Sequence, residues 1–335
     1  MNVPLWVWVV TIGLTSLLLL VDVVIIGRRP HVPSMTEVGR LLAFFVSIAV
    51  LFGLGVWYFS GADYAEQFYA GWLTEYSLSI DNLFIFLIIM AKFGVPEKLQ
   101  QSALMVGIVI ALILRGIFIG VGAAAINQFA WIFYVFGAFL IYTAVKLARE
   151  GDSDDDEFEE NRVLKWVETR FPVTNQWHGT KLFVRSNGSR VITPMFIVIL
   201  ALGTTDLLFA LDSIPAIFGL TQEPFLVLTA NIFALMGLRQ LYFLIGGLLK
   251  RLVYLGIGLA ILLSFIGLKL ILHAIHVNEL PFINGGKHVL GAPEISTAQS
   301  LAVILGILTI TTIASLVKSR RDNRDDNVAI KVVDG

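Results

Sequence analysis

"TEYSLSIDNL", residues 74–83, opens an apolar run that continues as "FIFLIIMAKF", 84–93, and it carries Glu75 and Asp81 into that run. In a chain that is 57% hydrophobic and only 15% charged, two carboxylates in such a setting need a reason. A second stretch, "TDLLFALDSI", 205–214, repeats the pattern. Thr74-Glu75, a five-residue gap and Asp81-Asn82 align with Thr205-Asp206, the same gap and Asp212-Ser213. The likeness continues through Phe93-Gly94-Val95 and Phe218-Gly219-Leu220, and on to Arg115 and Arg239.

Composition sets the solvent in which these residues sit. A mean hydropathy of +0.81 over 335 residues, with 24 Phe and 7 Trp, belongs to a chain that lives in lipid. A net charge of -1 argues against a nucleic-acid partner, and the absence of cysteine removes disulfides, thiolate ligands and thiol redox chemistry. Apolar windows of about 20 residues, long enough for a hydrocarbon core of about 30 Å, fall in nine places. They lie near 4–26, 41–59, 70–91, 101–123, 128–147, 194–218, 225–248, 252–274 and 298–317. The first lacks a basic n-region and is followed by Arg28 and Arg29, so it is read as a span rather than a signal peptide.

Loop charges orient the chain. Arg28, Arg29 and Arg40 follow span 1, and Lys92 and Lys98 follow span 3. Lys146, Arg149, Arg162, Lys165, Arg170, Lys181, Arg185 and Arg190 follow span 5, Lys250 and Arg251 span 7, and Lys318, Arg320, Arg321 and Arg324 span 9. The intervening connections hold almost none, Lys287 excepted. Every odd-to-even connection is therefore basic, which predicts an outer N-terminus and a cytoplasmic C-terminus. Spans 3 and 6 then run in opposite directions while sharing a motif. That is the pattern of an inverted repeat, spans 3–5 against 6–8, of the kind that builds transporter sites at the bilayer midplane.

A carboxylate at a span centre costs about 2.5–3.5 kcal/mol on insertion scales. Protonation, pairing with Arg115 and Arg239, or coordination of a cation would each relieve it. Residues seven apart share a helical stripe, so Thr74 falls over Asp81 and Glu75 over Asn82, as Thr205 does over Asp212 and Asp206 over Ser213. Each segment thus offers two adjacent stripes of oxygen ligands. Pro215 removes an amide that would bond the carbonyl of residue 211, freeing a further oxygen. An oxygen-only set suits hard divalent ions such as manganese, calcium or magnesium. Structural ion pairs and a metal-free proton relay stand as the alternatives, with Arg115 and Arg239 as partners rather than ligands.

The remaining polar residues receive structural readings. Asp22 is taken as interfacial, Asn231 and Gln240 as helix–helix hydrogen-bonding groups, and His273 and His276 as interfacial side chains. Residues 148–193 form the one substantial loop, with the acidic run "DSDDDEFEE", 152–160, followed by "NRVLKWVETRF". Its Val163, Leu164, Trp166, Val167 and Phe171 are expected to pack on the membrane surface. The tail after 318 is polar and read as disordered. No P-loop, nucleophile elbow or HExxH helix is present, which speaks against an ATP-driven pump and against an enzyme.

The segments "TEYSLSIDNLFIF" and "TTDLLFALDSIPAIFGLT", with "GLRQLYFLI" at 237–245, closely resemble the TerC/Alx family of bacterial membrane proteins, within the LysE-type exporter group. The likeness covers roughly 38–275. The resemblance implies a polytopic protein of the bacterial inner membrane associated with metal homeostasis, manganese export in particular, and linked with tellurium resistance. Its acidic motif positions correspond here to Glu75, Asp81, Asn82, Asp206, Asp212 and Ser213; Thr74, Thr205, Arg115 and Arg239 are read, from spacing and charge, as supporting residues.

The resulting expectation is an all-α membrane protein. Two N-terminal helices (1–59), a first three-helix repeat (60–147), the cytoplasmic loop (148–193), a second repeat (194–275) and a final connection, helix and tail (276–335) make up the chain. It exports a divalent cation, with manganese as cargo, protons as the coupling ion and no resident cofactor. The alternative is a membrane assembly factor touching the secretion machinery or the metalation of exported proteins.

Overall fold

The computed structural model describes residues 1, 3–28, 33–129, 131–150, 162–186, 189–245, 254–278, 280–281, 283–284, 289 and 293–333. Within its helices, the side chains of residues 23–28, 81, 84, 127, 150, 162–163, 165, 168, 245 and 320–333 fall outside that description, as does the whole acidic run 152–160. Eleven helices are seen among the described residues: α1 (Leu5–Arg28), α2 (Met35–Ser60), α3 (Ala62–Lys92), α4 (Glu97–Gln128), α5 (Ile132–Glu150), α6 (Arg162–Arg170), α7 (Pro194–Phe218), α8 (Pro224–Met236), α9 (Leu238–Ile245), α10 (Leu255–His276) and α11 (Thr297–Val333). A two-stranded antiparallel hairpin, β1 (Phe183–Ser186) and β2 (Ser189–Ile192), precedes α7.

Nine of these stretches are long and apolar enough to cross a bilayer, counting α8 and α9 as one, and they coincide with the nine windows read from sequence. The helix ends follow local chemistry. The hydroxyl of Ser34 caps α2 by accepting from the amide of Glu37 at 3.2 Å. Pro194 and Pro224 open α7 and α8, where a missing amide hydrogen is harmless. Gly61 (φ 101°) and Gly94 (φ 58°) take left-handed conformations that turn α2 into α3 and α3 into α4.

Close approaches of the helices give their relative directions. A Cβ on Gly107 of α4 would lie 3.4 Å from Leu202 of α7, and one on Gly122 would lie 2.8 Å from Phe218. Both numbers climb together, so α4 and α7 run side by side in the same direction. The same holds for α3 and α8, where Gly71 faces Ala230 at 3.4 Å and Gly237 faces the Tyr76 hydroxyl at 2.7 Å. Because the short turn 219–223 reverses the chain between α7 and α8, α3 and α7 run in opposite directions. α5 packs chiefly on α10, α4 on α7 and α3 on α8. Exchanging α3–α5 for α7–α10 leaves that arrangement unchanged.

Burial follows from it. α8 is buried along nearly its whole length, between α3, α4 and α2. Apolar side chains such as Leu51, Phe59, Ile113, Ile117 and Ile310 instead face outward, as a lipid-facing surface requires.

The fold departs from the sequence reading in four places. Span 7 is not one helix: it breaks at Gly237, where the Tyr76 ring occupies the space a side chain would take. α3 begins at Ala62, well before residue 70. α6 buries Leu164 and Val167 in the protein core rather than on the membrane, with Trp166 and Phe171 exposed and the Val163 side chain outside the described residues, because the α6–β1 segment folds back under α7. The backbone of α11 continues helical through the polar tail, as far as Val333.

Candidate functional site

Arg115 of α4 is the largest fully buried side chain among the described residues, with 0% of its surface exposed. Its sequence neighbours Leu112, Leu114 and Ile119 give it no polar company, so its partners must come from other helices. They come from both motifs. The Nε and Nη2 atoms each donate to the carboxylate of Asp206 on α7 at 3.1 Å, in the bidentate geometry that suits guanidinium and carboxylate. Its Nη1 is paired with Oε1 of Glu75 on α3. Glu75 and Asp206, 0% and 1% exposed, are the equivalent residues of the two repeated segments. Two carboxylates share one guanidinium, so the fully ionised cluster carries a net charge of -1.

Unpartnered polar groups lie on the same and neighbouring helices. The hydroxyls of Thr74, Ser77 and Ser79 on α3 and of Ser213 on α7, and both polar side-chain atoms of Asn231 on α8, are buried without a hydrogen-bond partner. Each such group costs about 1–3 kcal/mol if left dry. Among the described residues no donor or acceptor meets Asn231, so the helix–helix hydrogen bond its sequence suggested is not seen there. Thr205 and Asn82 are buried beside these groups in sequence. Pro215 lies inside α7, so the Leu211 carbonyl receives no amide from that position.

The other motif residues are separate. Asp212 is half-buried and accepts a hydrogen bond from Thr143 of α5 at 3.0 Å, with Lys146 within electrostatic reach. The Asp81 side chain lies outside the described residues. Among the described residues, no three His, Cys, Asp or Glu side chains converge as a metal centre. The five described motif side chains thus divide into an Arg115-bound pair, the separate Asp212, and the oxygen-bearing Asn82 and Ser213.

Arg239, the counterpart of Arg115, pairs elsewhere. Its Nη2 donates to Asp22 of α1 at 2.9 Å, with the side chains 5% and 15% exposed. Asp22 is therefore not a free interfacial residue. α1 packs against the α4 and α8 side of the bundle, which brings it to the one buried cation that the motifs leave over. Near the α7–α8 turn, a cavity of about 350 Å³ is lined by Leu220, Thr221, Gln222, Lys269 and His273. His273 contacts Gln222 at 2.8 Å and His276 faces Glu294 at 3.4 Å, so both histidines take part in polar contacts at that end of the bundle.

A polytopic helical bundle with ion pairs buried between its spans is an integral membrane protein. The integral membrane protein TerC family matches residues 60–323, and the chain belongs to that family. It is 50% identical over 317 residues to an uncharacterized membrane protein of Mycobacterium tuberculosis, covering 94% of this chain and 80% of the relative. An uncharacterized membrane protein of Myxococcus xanthus is 38% identical over 325 residues, covering 97% and 96%. A putative membrane-bound redox modulator, Alx, of Escherichia coli is 35% identical over 319 residues, covering 92% and 94%. No solved structure matches the chain.

Proposed function

We propose that this protein exports divalent cations, manganese foremost, across the bacterial inner membrane in exchange for protons. In this reading α3–α5 and α7–α10 are inverted repeats, with the N-terminus outside and the C-terminus in the cytoplasm. One observation carries it: Glu75 and Asp206, equivalent positions on two oppositely directed helices, converge on a single buried arginine and leave a negative charge uncompensated. An excess negative charge inside lipid is tolerable only if a cation visits it or a proton neutralises it. Those two occupants are the cargo and the coupling ion of an exchanger.

Oxygen atoms from Thr74, Asn82, Thr205, Ser213 and the carboxylates of Glu75, Asp206, Asp212 and Asp81 supply the hard donors that such an ion prefers. The name of the Escherichia coli relative speaks of redox modulation; this chain contains no cysteine, so no such role here runs through its own thiols. An assembly factor remains a distinct reading, and it differs in what the carboxylates must do.

The test is manganese flux in proteoliposomes under an imposed proton gradient. Flux that follows the gradient and is lost in Glu75→Gln supports export. Protein that is folded, yet silent toward every divalent ion in both directions of gradient, would favour the assembly role.

A further inference from the structure

We propose that Asn231 of α8 is a neutral oxygen ligand of the transported cation, set in the same polar layer as Glu75, Arg115 and Asp206. The proposal rests on the transport reading above. It begins from how the interior is divided. One apolar core holds Ile108 of α4, Leu202 of α7 and Leu235 of α8. A second holds Ile119 of α4, Ala210 of α7 and Val227 of α8. Each of these helices passes from one core to the other, and Arg115, Asp206 and Asn231 lie in the crossings. On α7 the sequence Leu202, Asp206, Ala210 advances four residues at a time, as Val227, Asn231, Leu235 does on α8. Residues at that spacing share one face of a helix. Asn231 therefore faces the boundary between the two cores, where Arg115 and Asp206 meet.

The repeat gives that position a meaning. "GIVIALILR", 107–115, aligns with "NIFALMGLR", 231–239, so Asn231 stands in the place of Gly107. A Cβ on Gly107 would lie 3.4 Å from Leu202, and the α3 residue in the place of Leu202 is Gly71. Glycine and leucine on α4 and α7 are thus exchanged for asparagine and glycine on α8 and α3. One half of the layer is filled by an apolar side chain, and the other half carries an amide.

The chemistry of that amide is unspent. Asn231 is 1% exposed, and neither its Oδ1 nor its Nδ2 has a hydrogen-bond partner. An asparagine kept for helix packing alone would bond to a neighbour, since buried polar groups are nearly always satisfied. Asp206 gives both carboxylate oxygens to Arg115, whereas Glu75 is paired through Oε1. Its Oε2 is buried without a hydrogen bond, and so is the hydroxyl of Thr74. Carboxylate, hydroxyl and amide oxygens are the donors that a hard divalent ion takes. The amide adds a donor without adding charge. Because the number of charged ligands sets how tightly such an ion is held, a neutral third group completes the shell while still allowing release.

The test separates ligand from packing residue by two readings on one purified protein. Thermal unfolding is followed in chelator-treated buffer and then across a manganese chloride titration, where binding to the folded state raises the unfolding temperature. Asn231→Leu replaces unpartnered polar atoms by apolar ones of similar size, so without metal it should unfold at or above the natural temperature. The manganese concentration giving half the shift should rise by about tenfold or more, as expected when a buried contact to a charge is lost. A lower unfolding temperature in chelator-treated buffer marks a packing role and overturns the proposal. An unchanged manganese response overturns it as well. Should Asn231→Leu not be recovered folded, Asn231→Ala, which is smaller than asparagine, must show the same loss of manganese response, and an unchanged response overturns the proposal. A response in the natural protein that Asn231→Leu loses, with no manganese flux from either, would sink the transport reading alone. Flux and response that both survive in Asn231→Leu would sink only the ligand. A natural protein that neither responds to manganese nor moves it overturns both.

Discussion

Gly137 of α5 and Gly267 of α10 face each other so closely that a Cβ on Gly137 would lie 2.8 Å from the Gly267 carbonyl oxygen, and one on Gly267 would lie 2.9 Å from that of Gly137. The flanking contacts are reciprocal: Gly137 meets Ile271, and Gly267 meets Ile141, each four residues beyond the opposite glycine. A two-fold relation between the helices explains this reciprocity, since residue i then meets j as j meets i. Replacing either glycine by alanine should force the two backbones apart, with an overpacking cost of about 1–3 kcal/mol. Thermal unfolding in detergent should show similar losses for both. Gly116→Ala, where nothing lies within 4 Å, should be neutral or slightly stabilising. A large loss from Gly137→Ala with none from Gly267→Ala would contradict the equivalence of the two helices.

Arg115 makes a separate prediction about stability. Arg115→Gln strands Glu75 and Asp206 as buried, uncompensated carboxylates, and breaking a buried pair from one side costs about 3–5 kcal/mol. The yield of monodisperse protein should fall sharply. Combining Glu75→Gln, Arg115→Met and Asp206→Asn removes every charge at once and should restore the yield, though not transport. If the triple variant is no better than Arg115→Gln alone, the damage lies in packing around the guanidinium and not in its charge.

What could be read beforehand was whatever repeats locally. Nine spans announce themselves by length and hydropathy, and the two acidic segments by their matched spacing. The convergence of Glu75 and Asp206 on Arg115 was half-legible: the sequence marked all three residues as needing partners without saying which arginine served which carboxylate. Asp22–Arg239 was hidden, because 217 residues separate the pair and Asp22 sits in a span with no motif. The break at Gly237 depends on where the Tyr76 ring lands, a tertiary fact without a local signature. α6 shows the same limit, since an amphipathic nine-residue helix reads alike whether its apolar face meets lipid or protein.

Ion preference follows from the donors. Because the motif positions offer carboxylate, hydroxyl and amide oxygens and no sulfur, manganese should outrun zinc and copper in a flux assay, although the raw affinity order favours the latter two. Competition of each ion against radiolabelled manganese in proteoliposomes measures this. Zinc transport at a rate above that of manganese would show that other ligands form the site. Tellurite should not compete at all, since an anion would meet carboxylates.

Asp212 allows transport to be separated from folding more cleanly than Glu75 or Asp206, because no arginine depends on it. Its hydrogen bond comes from the Thr143 hydroxyl, and an asparagine in its place retains an oxygen that accepts the same bond. Asp212→Asn therefore removes charge without orphaning a buried guanidinium, since the cation within its reach, Lys146, is exposed, and losing a half-buried carboxylate relieves a desolvation cost. Membrane insertion and yield should stay near normal while manganese export falls by about tenfold or more, as expected when a charge that offsets ion desolvation is lost. Asp81→Asn, at the equivalent position of α3, should behave in the same way. Manganese accumulation in cells expressing each variant at matched protein levels decides the matter. Full export by both would confine the ion site to the Glu75–Asp206 pair. Loss of folded protein from Asp212→Asn would instead make the Thr143 contact a brace between α5 and α7.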